Sequence, residues 1–132
     1  MTKFISPLHK DVTYSSIVWH DSQTLPGARY AIRRASLAQK IELTSRAREV
    51  VLKNEFLKAG DAPDGLEAAL SELLVQKLYI EWGLSEITGL VIDGNPATPE
   101  TVVEKGPEAL TQEIVSVIRE QLELSEDKRK NF

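Results

Sequence analysis

The sequence has no cysteine among its 132 residues, which excludes disulfides, thiolate metal sites and a thiol nucleophile together. Histidine is nearly missing as well. His9 and His20 lie in the first twenty residues, without the spacing of a metal-binding pair, and no G-x-S-x-G elbow is present to use either as a base. No apolar run reaches the roughly 18–20 residues that cross a bilayer. The opening MTKFISPLHKD lacks the apolar stretch of a secretory signal, so no membrane role is expected and cytoplasm is the expected compartment.

What is present describes a globular chain. It is 42% hydrophobic and 27% charged, and its length suits a single domain, 1–132, with one core. The net charge of −4 is unevenly placed. Residues 1–59 hold ten Lys/Arg against five Asp/Glu, whereas residues 60–132 hold six against fifteen. Such asymmetry fits two surfaces with different partners, head-to-tail association of copies, or charge matching within one molecule.

The pattern predicts an α+β fold that is mostly α-helical. Residues 12–19 and 28–34 are rich in β-branched and aromatic types and flank HDSQTLPG, whose Pro26-Gly27 favours a turn, so an N-terminal β-hairpin is expected within 1–34. Ser36 with Gln39 forms a capping box at the head of a helix running to about Ala59, where Gly60 suits the end. Along it Glu42, Arg46, Glu49 and Lys53 make a polar stripe with two acid-before-base i,i+4 pairs. The remaining circumference carries apolar residues more broadly than one buried side requires. A second helix, about 65–82, starts with Asp64 and Glu67 as a cap, is apolar over a wide arc, and ends at Gly83.

The stretch TGLVIDGNPATPETVVEKGP at 88–107 is dense in glycine and proline. Ile87–Ile92 is expected as a short strand, and Asp93-Gly94 as a tight turn, since both residues tolerate positive φ. Thr98-Pro99-Glu100 has the order of N-cap, N1 proline and first-turn acid, and Gly106-Pro107-Glu108 ends that helix and starts the next. The closing helix, about 107–123, is amphipathic, and residues 125–132, SEDKRKNF, are expected to fray as a charged tail beyond the mainly helical 35–124.

The same stretch fails as a metal or phosphate loop. Asp93, Asn95 and Glu104 match three calcium-loop positions, but Thr98 stands where the bend needs glycine, and prolines remove the consecutive N–H groups a phosphate cradle uses. No cofactor, metal or catalytic set is expected. Arg33-Arg34-Ala35-Ser36 has the form of a basophilic kinase site, although the N-cap role explains Ser36 better. Acids Glu42 and Glu49 interrupt the basic run from Arg29 to Arg48, which disfavours nucleic acid as a partner. Tyr14, Trp19, Tyr30, Tyr79 and Trp82 are expected mainly in sheet and core packing.

RRASLAQKIELTSRAREV, then LYIEWGLSEITGLVIDGNPATPETVVEKGPEALTQEIVSVI, then SEDKRKNF, over roughly residues 28–132, resemble the tail assembly chaperones of long-tailed phages and prophages. The most specific part is the WGLSEITGLVIDGNPATP run at 82–99. The resemblance implies a non-enzymatic protein of the bacterial host cytoplasm. It would coat the tape-measure protein, keep it soluble and bring tail-tube subunits to it. A homo-oligomer is expected, with partner contact through Arg33, Arg34, Val51, Phe56, Leu74, Leu78 and Trp82. A structural virion component (connector or tail-completion protein) and a nucleic-acid-binding accessory protein are the competing readings.

Overall fold

The structure, a computed structural model, describes residues 11–58 and 64–130; for 54–58, 64 and 123–130 it describes the backbone alone. The expected α+β fold is present. In chain order the elements are β1 (Ile17–Asp21), β2 (Arg29–Arg33), α1 (Leu37–Lys58), α2 (Asp64–Gly83), β3 (Leu84–Thr88), β4 (Val91–Ile92), β5 (Asn95–Pro96), α3 (Pro99–Lys105) and α4 (Glu108–Lys130).

β1 and β2 form the expected antiparallel hairpin, with Trp19 opposite Ala31. β3 then pairs antiparallel with β2, giving a three-stranded sheet in the order β1-β2-β3 with a register shift between Ala31 and Ile32. This corrects the expected strand at Ile87–Ile92. Gly89 adopts φ +79, which ends β3 at Thr88, and the chain resumes as the separate β4–β5 pair. Asp93 and Gly94 both hold positive φ in the turn between those strands, as their residue types favour. A Cβ on Gly89 would lie 2.1 Å from the Gly27 carbonyl oxygen, so the position admits no side chain.

Local chemistry sets the helix starts. Ser36 Oγ accepts from Gln39 N–H at 3.2 Å, and Gln39 Oε1 accepts from Ser36 N–H at 3.0 Å, closing the predicted capping box. Thr98 and Thr101 do the same at α3, with Pro99 at the first helical position. The proposed caps at Gly60 and the Asp64 side chain fall outside the described residues. The ion pairs expected on α1 are not formed. Among the described residues the pairs within 4 Å are Arg29–Asp21, Lys105–Asp93 and Arg119–Glu72, and Glu42, Arg46, Glu49 and Lys53 are in none. Exposed pairs of this type are worth only about 0.3–0.5 kcal/mol, and holding two long side chains together offsets most of it.

The core lies between the sheet, α2, α3 and α4. Tyr30, Ile32, Ile80, Leu84, Ile87, Val102, Leu110, Ile114 and Ile118 are buried in one cluster. α4 supplies the expected stripe, because positions 110, 114 and 118 recur on one helical face. It continues past the expected end near 123 to Lys130, so residues 125–130 have helical backbone. The run SEDKRK contains neither glycine nor proline and is rich in helix formers, so nothing local stops the helix. Gln121 ties α4 to the β2–α1 connection: its Nε2 donates to Arg33 O at 2.8 Å and its Oε1 accepts from Ala35 N–H at 2.9 Å.

Candidate partner-binding surface

α1 packs against α2 along the outside of the molecule. Leu43 on α1 and Val75 on α2 are buried apart from the main cluster, where the two helices face one another. At 3.6 residues per turn, Leu37, Ile41 and Leu52 fall within about 60° of arc and about 150° round the helix from Leu43. They therefore point away from α2, and Leu37 and Ile41 are 78% and 61% exposed. On α2, Leu66, Leu70, Leu73 and Leu74 form a second stripe, with Leu66 and Leu73 at 69% and 58%. Neither stripe is covered by the described residues. Single exposed leucines need no explanation, but two stripes on adjacent helices exceed what a monomer ordinarily shows to water.

Between α1 and α2 runs an open groove of about 330 Å³, lined by Val50 and Lys53 on one side and Leu74, Lys77, Leu78 and Glu81 on the other. Of the α2 stripe Leu74 lines this groove, while the α1 stripe lies on the outer side of its helix. The floor is apolar and the rim charged, a composition suited to an amphipathic segment.

The structure distributes the expected contact residues unequally. Leu74 and Leu78 come together in the groove. Val51 is exposed on the outer side of α1. Phe56 has its side chain outside the described residues. Trp82, one turn beyond Leu78, is partly buried against the core, and its carbonyl accepts from Arg33 Nε at 3.1 Å. Arg34 belongs elsewhere: its guanidinium lies 5.2 Å from the Tyr14 ring centroid. Arg29 sits 5.3 Å over Trp19 on the sheet while bonding Asp21, so Arg29, Arg33 and Arg34 are held by different partners rather than joined in one patch.

One site escaped the sequence reading. Glu113 on α4 accepts five hydrogen bonds: from Ser22 Oγ, Gln23 N–H, Thr24 N–H, Thr24 Oγ1 and Tyr30 Oη, at 2.8–3.2 Å. Burial pushes its carboxyl up, but these donors, led by Gln23 N–H and Tyr30, outweigh that and hold it at about 2. Burial and the same carboxylate push the Tyr30 hydroxyl well above its usual range. A depression of about 470 Å³ opens beside the pair, lined in part by His20, Asp21, Tyr30, Glu113 and Glu120. Glu113 is nonetheless poorly suited to catalysis. Its oxygens, with about four lone-pair positions, are saturated by donors, and a carboxyl of such low pKa is a weak base at neutral pH. It fastens the β1–β2 loop to α4.

His20 stacks on Tyr30 with ring centroids 5.5 Å apart, consistent with a packing role. Asp93 pairs with Lys105 at 3.2 Å, which neutralises the first position of the calcium-like spacing. Among the described residues no group of three or more metal-ligating side chains comes together, and no helix is long and apolar enough to cross a membrane. No family model, curated protein or solved structure matches the chain.

Proposed function

We propose that this chain is a non-enzymatic assembly chaperone for the tails of long-tailed phages, which holds the tape-measure protein and tail-tube subunits before the tail is complete. The observation that carries the reading is the pair of uncovered apolar stripes on α1 and α2 with the groove between them. The resemblance of the 82–99 run to that family adds the identity of the client. In the fold that run supplies the end of α2, β3, the β4–β5 turn and the cap of α3, so it fixes corners and contributes no reactive group.

The mechanism is reversible burial. Each Å² of apolar surface removed from water contributes about 25 cal/mol, set against the loss of translational and side-chain freedom on association. Small apolar stripes on two packed helices thus give contacts that form and release. Co-expression of the tagged chain with the tape-measure protein of the same genome, followed by pull-down, tests this directly. Co-purification of a soluble complex, together with absence of the chain from finished particles by mass spectrometry, is the expected result. Presence of the chain in the finished particle would make it a structural component instead.

A further inference from the structure

We infer that the two apolar stripes are made for each other in different copies: the outer side of α1 in one molecule docks on the exposed side of α2 in the next. Three observations lead there. First, the stripes do not share a face. Leu37, Ile41 and Leu52 point away from α2, whereas on α2 Leu74 lines the groove and Leu73 borders a separate hollow with Val103 and Thr111. A single flat partner cannot cover both, but a repeating head-to-tail contact can.

Second, the helices carry opposite charge. α1 has five Lys/Arg against three acids, and α2 has four acids against one lysine. These charges are largely uncommitted inside the molecule. Among the described residues no α1 side chain is in an ion pair, and on α2 only Glu72 is, bound to Arg119. Arg48, on the arc of the α1 stripe, would meet an acid such as Glu67 beside the α2 stripe, whereas α1-on-α1 or α2-on-α2 contacts would bring together helices of like net charge.

Third, each stripe runs for about two turns or more along its helix. Leu37 to Leu52 spans about 22 Å, and Leu66 to Leu74 about 12 Å, at a rise near 1.5 Å per residue, so the shorter α2 stripe sets the extent of the contact. One helix-on-helix contact of that length falls at the small end of protein interfaces, which total less than about 1,200 Å², so the association is concentration-dependent rather than obligate. A heterologous contact leaves one free stripe at each end and extends to a ring or a row. The inference stands whether or not the chain is a chaperone. Copy and client would be alternative occupants of the same stripes.

Sedimentation equilibrium on the full chain tests it with two variants, Ile41→Glu and Leu70→Glu. Wild-type mass should rise past the dimer with concentration and fall back as salt increases. Each variant alone should stay monomeric. Mixed in equal amounts, the two should form a dimer and stop there, since the intact α2 stripe of one meets the intact α1 stripe of the other. Ile41→Ser and Leu70→Ser, which add no charge, repeat the mixing and guard against misfolding, checked by circular dichroism. A wild-type chain that is monomeric throughout, a single variant that still associates, or a mixture that stays monomeric would each overturn the proposal.

Discussion

The Tyr30 hydroxyl on β2 donates to the Glu113 carboxylate on α4 at 2.8 Å, across 83 residues of sequence. This bond joins the central strand of the sheet to the longest helix. Ser22, Gln23 and Thr24 bring the β1–β2 loop to the same carboxylate, so one acid organises the sheet end of the molecule.

Stability should accordingly respond to acid through Glu113. Its carboxyl titrates near 4.3 when unfolded and at about 2 when folded. A depressed folded-state value contributes stability that is fully present above the unfolded value and lost as pH falls through about 2. Glu113→Gln replaces an acceptor oxygen with a donor facing other donors, and should cost about 1–3 kcal/mol at pH 7. The gap between variant and wild type should narrow between pH 5 and about 2 in urea titrations. Tyr30→Phe leaves four of the five donors, so it should cost less and move the acid transition upward. A gap that persists unchanged at pH 2 would contradict the account.

Much of the fold is written locally, and the exceptions have physical reasons. Ser36 with Gln39, Thr98 before Pro99, and Asp93-Gly94 act within four residues, so their chemistry is readable in sequence order. β3 is not, because its pairing with β2 depends on a strand more than fifty residues away. Glu113 is one of fifteen acids in residues 60–132, and only folding brings its donors within reach. The stripes were half legible. Apolar residues around most of α1 signalled contact on several sides, but which leucines remain uncovered depends on where α2 packs. Trp82 shows the opposite limit: a large aromatic at a helix end suggested an anchor, and packing divides it between core and surface.

Gly83 and Ile118 make a second, independent test. A Cβ at Gly83 would lie 2.6 Å from Ile118 Cδ1, and Ile118 is wholly buried. Alanine in a helix gains up to about 1 kcal/mol over glycine, while overpacking a core costs about 1–3 kcal/mol. Gly83→Ala should therefore destabilise despite better helix propensity. Ile118→Val removes the colliding Cδ1, so the double variant should be less destabilised than the sum of the singles. Strict additivity in a thermal or urea double-mutant cycle would show that Ile118 swings aside at no cost.

The cap at α3 gives a smaller effect. Thr98→Ala removes the acceptor for Thr101 N–H, and should cost about 0.5–2 kcal/mol. Thr98→Ser keeps the oxygen and should cost much less. Equal losses in the two variants would place the effect in the lost methyl group instead.

Leu43 and Ile41 lie two residues apart on α1 with opposite environments, 1% and 61% exposed. Leu43→Ala removes a buried side chain from the α1–α2 contact and should cost about 2–5 kcal/mol. Ile41 is mostly exposed, so the stability of Ile41→Ser in dilute solution should stay within about 0.5 kcal/mol of wild type. The comparison separates two reasons for an apolar residue to stand on this helix: Leu43 holds α1 in place, whereas most of Ile41 is open to a partner. A loss of several kcal/mol for Ile41→Ser at concentrations where the chain is monomeric would mean that the outer stripe is already buried, and would remove the basis for assigning it to a partner.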